Sequence, residues 1–311
     1  MIFAPSYYND FKCACGDCTH SCCIAWEIGI DKKTYKKYGK LKGDFGRKVR
    51  DSIDKDGIPH FSLREDGRCP HLNDKGLCDI IISLGEEYLC DICREHPRFY
   101  NFFYQGKEKR CEVGLGAACE SAARLILLSD GYDSTVPLGI PPIKAEFGKK
   151  KCVDFLGERA RIYGMLNEQD GRITDRILSI SKTYGVDFDK IPSEIFHSAY
   201  SSIEYLNQEN KELFLTADKR TPALTAEKSL YVERYFAYLI YRYLVTSNDE
   251  EDLALNIAFC AMLSLLFSKM ISTEGDFSSV ISSAVAISEE IEYNPDNIEQ
   301  IKFYLGMYGR N

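Results

Sequence analysis

A chain of 311 residues with 45% hydrophobic side chains and twenty tyrosines can bury a full core in two domains or subdomains, which excludes a disordered protein. Its net charge of −8 is unevenly spread: residues 1–120 hold 19 basic and 19 acidic side chains, and residues 121–311 hold 20 and 28. Neither part has the basic excess of a nucleic-acid binder, so no nucleic-acid partner is expected.

Residues 1–30 are cysteine-rich and irregular. Residues 1–12 lack a cationic segment followed by an apolar run, so a cytoplasmic protein is expected. Asp31 then reads as the N-cap of a short helix in Asp31-Lys-Lys-Thr-Tyr-Lys-Lys-Tyr. Polar, glycine-punctuated sequence follows to Gly67, with a strand predicted at 60–64. A second cysteine group spans 69–93. Tyr100-Asn-Phe-Phe-Tyr, Gly106 and the charged run at 107–110 predict a hairpin. A helix over 120–129 buries Ala122, Ala123, Leu125, Ile126 and Leu127 on one side.

Turn formers and three of the ten prolines mark 131–150 as a linker. Beyond it the apolar period becomes helical, at 155–166, 173–180, 230–245 and 253–271. The acidic turn Ser247-Asn-Asp-Glu-Glu-Asp joins the last two. Short helices near 280–291 and 295–308 follow. The longest apolar stretch, 253–267, contains Asn256 and is too short to span a bilayer, so no membrane partner is expected. The predicted fold is mainly α. An irregular cysteine-rich, metal-binding domain with short strands (1–130) and the linker (131–150) precede an all-helical domain (151–311) on which the first packs.

Eleven of the thirteen cysteines fall in the first 119 residues, and five of them are Cys13, Cys15, Cys18, Cys22 and Cys23. In a reducing compartment so dense a set indicates metal binding, because thiolates are soft ligands for zinc and iron–sulfur clusters. Cys15-x2-Cys18 and Cys90-x2-Cys93 have the spacing at which two thiolates face one ion from a tight turn. Cys69 and Cys78 flank a turn formed by Asn-Asp-Lys-Gly. Adjacent Cys22 and Cys23 diverge and suit two sites, or one ligand and one buried thiol. Eleven thiols can supply two four-ligand sites, and the spacings do not separate zinc from iron.

His20 and His71 lie in or beside these groups, and each can replace a thiolate or serve the fold. Arg94 and Arg98 follow Cys93 and offer guanidinium forks for an anionic cofactor, or a counter-charge to thiolates and Glu95. Trp26, the only tryptophan, either covers the metal site or stacks on a ligand. No phosphate-binding loop, H-E-x-x-H, G-x-S-x-G or dinucleotide fingerprint is present, nor a C-x3-C-x2-C run.

The segment Phe11-Lys-Cys13 … Cys18-Thr-His-Ser-Cys22-Cys23-Ile-Ala-Trp26-Glu-Ile-Gly-Ile-Asp31 resembles the opening motif of the flagellin lysine-N-methylases. Three further blocks are similar to segments of that family: Cys69-Pro-His-Leu-Asn … Gly-Leu-Cys78, Leu84-Gly-Glu … Cys90-Asp-Ile-Cys93-Arg94 … Pro97-Arg98, and Glu112-Val-Gly-Leu … Cys119-Glu-Ser-Ala-Ala-Arg124. Four ordered blocks thus cover residues 11–124. The chain departs from the family pattern at His71, where an aromatic is usual, and at Ala118 and Glu120, where Ser and Pro are usual.

The resemblance implies a bacterial enzyme that methylates lysine side chains of flagellin or another protein, with an iron–sulfur cluster, of the 4Fe-4S type, and S-adenosylmethionine. It selects Cys13, Cys18, Cys22, Cys23, Cys69, Cys78, Cys93 and Cys119 as metal ligands and leaves Cys15, Cys90 and Cys111 accessory. Arg94, Arg98 and Trp26 are the candidate cofactor contacts. Lysine Nε is nucleophilic only when neutral and its ordinary pKa is about 10.4, so a polar transfer needs a proton acceptor. Glu27, Asp31, Glu95 and the tyrosines at 100–104 are the candidates. Two other readings stay open: a zinc or iron–sulfur module that docks a protein partner, and an iron–sulfur redox protein.

Overall fold

The structure, a computed structural model, describes residues 1–139, 153–168, 170–272 and 275–309. The chain divides into two compact units: Lys12–Arg98 with Cys119–Ser121, and Met1–Phe11 with Phe99–Ala118 and Ala122–Asn311. The predicted cysteine-rich domain at 1–130 is therefore shared between two units. Residues 140–150 of the predicted linker lie outside the described residues, as does Cys152.

Strand β1 (Ile2–Pro5) opens the chain and belongs to the larger unit. The smaller unit begins its regular structure at α1 (Lys32–Tyr38), where the predicted cap is found: Asp31 Oδ1 accepts from the Lys33 and Thr34 N–H groups at 3.1 and 2.9 Å. Helix α2 (Gly43–Asp51) follows where only polar, glycine-punctuated sequence is legible. Two residue pairs form the antiparallel ladder of β2 (Ile53–Asp54) and β3 (His60–Phe61), so the predicted strand at 60–64 is shorter than its pattern. Helix α3 (Asp79–Leu84) stops at Gly85, whose φ of 97° is open to glycine at little cost, and α4 (Asp91–Glu95) closes the unit's main segment. A small core of Ile28, Ile30, Tyr38, Val49, Phe61 and Leu72 holds these short elements together. Cys69 and Cys90 are buried within it.

In the larger unit the predicted hairpin is present as β4 (Arg98–Gln105) and β5 (Glu108–Leu115), turning at Gly106. β5 pairs in parallel with β1, Ile2 opposite Cys111. After α5 (Glu120–Leu128), β6 (Thr135–Gly139) joins the other edge of β1 antiparallel, giving the sheet order β4-β5-β1-β6. Residues 135–139 of the predicted linker are thus a strand.

The rest of the described chain is helical: α6 (Phe155–Glu168), α7 (Ile173–Thr183), α8 (Ser193–Ser202), α9 (Gln208–Asp218), α10 (Ala226–Tyr243), α11 (Glu250–Met270), α12 (Phe277–Ile287) and α13 (Pro295–Tyr308). The protein is mainly α, as its sequence predicts. Helix α11 is apolar around its whole circumference, because α7, α9, α10, α12 and α13 surround it. At 21 residues it is longer than the apolar run 253–267 and is long and apolar enough to cross a membrane, with 78% of its most apolar window buried among the helices. Tyrosines of α10 tie it to the sheet: Tyr241 Oη donates to the Val113 carbonyl at 3.2 Å.

Candidate metal centre

All eight cysteines selected by the resemblance lie in the smaller unit, and all twelve described cysteines are free thiols. They fall into two neighbourhoods. Cys23, Cys69, Cys78, Cys90 and Cys93 pack on the small core. The other neighbourhood, mostly solvent-facing, holds Cys13, Cys15, Cys18, Cys22 and Cys119.

Local backbone chemistry builds the inner group. The Cys69 N–H donates to the Cys23 carbonyl at 2.8 Å, which joins the first cysteine segment to the second. Asn73 shapes the turn between Cys69 and Cys78: its Oδ1 accepts from the Lys75 and Leu77 N–H groups at 2.9 and 3.1 Å, and its Nδ2 donates to Asp79 at 3.0 Å. Gly76, at φ 70°, completes that turn. Cys90 is the N-cap residue of α4 and Cys93 lies in its first turn, so the C-x2-C spacing brings the two thiols into hydrogen-bond contact.

Burial pushes the Cys69 thiol up to about 12, and neighbouring Cys23, Cys78 and Cys90 add to the rise. Cys93 is raised by its hydrogen bond to Cys90 and by burial, while Cys90 is lowered by the same bond. Cys78 rises through burial and feels Cys23. These groups therefore resist being charged together, which is the electrostatics of a soft anionic donor set that a thiophilic cation relieves.

The outer group is held by polar contacts. The Cys15 N–H donates to Cys13 Sγ at 3.3 Å, with Cys15 at a left-handed φ of 52°. Cys18 Sγ donates to the His20 carbonyl at 3.1 Å and to Glu120 Oε2 at 3.4 Å, and burial pushes its thiol up to about 11. Cys22 feels Cys119 and Cys13, and Cys18 feels Cys119. The two groups meet at the Cys22–Cys23 hydrogen bond, which raises Cys22 and holds Cys23 at about 7 against burial.

Among the described residues, no group of three or more His, Cys, Asp or Glu side chains is arranged to hold a metal ion.

The other predicted site residues have these places. His71 is 1% exposed, bonds Ser52 Oγ through Nε2 at 2.9 Å and packs edge-on to Phe61 at 4.8 Å; burial, with Lys48 nearby, lowers its pKa to about 4. It is a neutral member of the aromatic core. His20 offers its carbonyl to Cys18. Arg94 pairs with Asp91, and with Glu95 at 3.4 Å; Arg98 reaches the Arg94 carbonyl at 3.5 Å. Trp26 is half-buried beside Ala25, whose φ is 65°. Glu27 is exposed, and both Asp31 oxygens accept backbone N–H groups, Oδ2 taking that of Asp91 at 3.0 Å. Tyr100 and Tyr104 lie on β4, in the other unit, as does Cys111, which is buried on β5.

In the sequence Glu120 is only a flanking departure from the family pattern. In the structure its carboxylate accepts from Thr19 N at 2.8 Å and Thr19 Oγ1 at 3.0 Å, tying the Cys18 turn to the Cys119 segment. No local pattern announces a contact between residues so far apart in the chain.

The described chain thus comprises a cysteine-rich unit carrying two neighbourhoods of thiols and a mainly helical unit. Over 133 residues, 40% of the chain, it is 28% identical to the flagellar biosynthetic protein FliU of Salmonella muenchen. Over 133 residues it is also 26% identical to the lysine-N-methylases of Salmonella choleraesuis and Salmonella typhimurium. These relatives bear out the resemblance carried by the cysteine blocks. The match spans 76% of the first relative and 32% of each of the other two. No protein-family profile and no solved structure matches the chain.

Proposed function

We propose that this chain takes part in methyl transfer to lysine side chains of a protein, flagellin being the substrate class, with S-adenosylmethionine as donor and with thiolate-bound metal in the smaller unit. One observation supports the reading: the eight motif cysteines, scattered over 13–119, lie in one unit, with Cys23, Cys69, Cys78 and Cys93 on its small core and Cys13, Cys18, Cys22 and Cys119 outside that core. Cys23, Cys69, Cys78 and Cys93 would hold one centre, with Cys90 beside it, and Cys13, Cys18, Cys22 and Cys119 the other. Four thiolates satisfy a cubane iron–sulfur cluster or a tetrahedral zinc ion. When bound, an iron–sulfur cluster supplies a site for anchoring polar groups of the donor or for electron transfer.

The chain's own residues have the remaining tasks. The substrate ammonium must lose a proton before Nε can act, and the acceptor must stand within hydrogen-bond reach. Asp31 spends both oxygens on backbone N–H groups and Glu95 faces Arg94, so we retain Glu27, which is exposed, as the proton acceptor. Arg94 and Arg98 keep their place as candidate contacts for an anionic group.

Anaerobic purification followed by iron, sulfide and zinc analysis tests the metal. Wild type is expected to be brown, Cys69→Ala and Cys119→Ala each to lose about half of the iron, one four-thiolate set apiece. Colourless protein with stoichiometric zinc overturns the iron–sulfur assignment. Transfer of a labelled methyl group from S-adenosylmethionine to flagellin tests the reaction, and its absence with metal fully loaded favours a non-enzymatic metal module.

A further inference from the structure

Six lysines stand between positions 32 and 42, and no acidic residue lies among them. On α1 the buried positions are Thr34 and Tyr38, one turn apart. Lys32, Lys33, Lys36 and Lys37 take the other side, within an arc of about 140° at the helical period. Lys40 and Lys42 continue the series in the turn to α2. Lys37 is engaged, its Nζ bonded to the Glu87 carbonyl and 3.6 Å over the Tyr88 ring. Lys32, Lys33, Lys36, Lys40 and Lys42 are exposed, and among the described residues none of the five meets a carboxylate. Other cations of the same unit do: Arg47 meets Asp44, Lys48 meets Asp79 and Arg94 meets Asp91.

The fold does not ask for this charge. Lys32 and Lys33 occupy the first turn of α1, which carries no acidic residue, although the helix dipole there favours carboxylates over cations. Lys32 with Lys36, and Lys33 with Lys37, are like charges four positions apart, a spacing that destabilises a helix. Neutral or acidic residues would serve α1 better. Charge concentrated against the interest of its own helix marks a surface kept for something outside the unit.

The composition of the patch selects the partner. It is all lysine, so it offers point charges without the guanidinium fork that grips phosphate in pairs. Tyr38 is buried, and Tyr35, Leu41 and Phe45 pack on the small core. That leaves this stretch with no exposed ring to stack on nucleobases and no exposed apolar face to enter a bilayer. Carboxylates remain, and charges on long exposed stems suit fast, salt-sensitive docking. Helix α1 is about 10 Å long, the span of three or four extended residues. We infer that the lysine face of α1 docks a short, extended acidic segment of a partner protein. This surface uses none of the thiols and stands apart from the methylase reading.

Isothermal titration of the full chain, purified anaerobically, with acetyl-Ala-Glu-Glu-Ala-Glu-Glu-Ala-amide and with its glutamine counterpart tests the assignment. At about 50 mM salt the glutamate peptide is expected to bind about tenfold tighter, the sum of a few exposed ion pairs. The preference should vanish at about 500 mM salt, where such charges are screened. The double variant Lys32→Glu, Lys33→Glu should lose the preference and, with acidic residues now at the start of α1, melt no lower than wild type. Binding lost without loss of stability is not misfolding. Equal binding of the two peptides at low salt, an unchanged preference in the double variant, or a lower melting temperature of that variant overturns the proposal. Tighter binding to vesicles of about 30% phosphatidylserine, or to a thymidine hexanucleotide, than to the glutamate peptide also overturns it, since phosphate would then be the better ligand.

Discussion

The Glu120 carboxylate accepts from both the backbone N–H and the hydroxyl of Thr19, at 2.8 and 3.0 Å, and takes the Cys18 thiol as a third donor. The position that usually carries proline in the resembling family thus holds the tether between the Cys18 turn and Cys119. Glu120→Ala should free that turn, and Glu120→Gln, which keeps one acceptor oxygen, should hold it. Counting alkylation of Cys18 by mass spectrometry on metal-free protein checks this. We expect the alanine variant to react about three- to tenfold faster, the effect of losing roughly 1 kcal/mol of hydrogen bonding at a partly exposed site. Equal rates in the two variants would remove Glu120 from the construction of the outer thiol group.

Asp31 separates two structural tasks between its two oxygens. Oδ1 caps α1, while Oδ2 accepts the Asp91 N–H at the start of α4, next to Cys90. Partial burial works to raise its pKa, but these hydrogen bonds hold it below the ordinary carboxylate value. Asp31→Asn keeps the cap and loses the Asp91 bond; Asp31→Ala loses both. The alanine variant should cost about 1–2 kcal/mol in urea unfolding of the smaller unit, and the asparagine variant less. If Asp31→Asn instead folds normally and abolishes methyl transfer, the residue is the proton acceptor and Glu27 is not.

These residues also mark what was legible in sequence. Asp31 could be read as a cap because capping is local: side chain and accepted N–H groups lie within three positions. The helices α10 and α11 could be read because burial inside a helical bundle demands long apolar runs. Helix α2 could not, since Gly43 and Gly46 oppose helix locally and its apolar face, with Val49 buried in the small core, amounts to only a few residues. Strand β1 is four residues long and becomes visible only through its pairing with β5 and β6. The thiols could be counted and matched to motifs. Their division into two neighbourhoods depends on which turns fold back on which, through contacts such as Cys69 N–H to the Cys23 carbonyl, and spacing alone carries no record of that.

Lys182 and Asp187 predict a pH dependence. Lys182 Nζ stands 2.9 Å from Asp187 Oδ2, and the Asp189 N–H donates to Oδ1 at 3.2 Å. The lysine bond holds the Asp187 carboxyl below its ordinary value against some desolvation. A carboxyl depressed in the folded state contributes stability that is fully present above its unfolded pKa, about 3.9, and is lost as pH falls through the folded pKa. Lys182→Met should therefore move the Asp187 titration upward, and shrink the acid-side loss of stability in this helical region. Carbon-detected NMR titration of the carboxyl reads the first effect, and an unshifted midpoint would contradict it. The gain is small, because Lys182 is 60% exposed and screened by solvent.

Arg159 and Glu112 make the opposite case, a pair shut away from water. Two hydrogen bonds of 2.7 Å join the guanidinium of α6 to the carboxylate of β5, with side chains 8% and 0% exposed, and the Tyr241 ring lies 4.8 Å from the guanidinium. Removing Arg159 alone would leave a buried carboxylate facing, among the described cations, Arg110, 3.4 Å from Oε1. Arg159→Met should therefore cost about 3–5 kcal/mol. Arg159→Met combined with Glu112→Leu removes the orphaned charge as well, and Arg110, 18% exposed, can turn toward solvent. The double variant should be more stable than Arg159→Met by about 1–3 kcal/mol, since the desolvation cost of the pair disappears along with its attraction. Chemical denaturation of wild type, both single variants and the double closes the cycle. If the double variant is less stable than wild type by as much as Arg159→Met is, the pair is a net source of stability in its own right, and the helix is held to the sheet by charge more than by the packing around it.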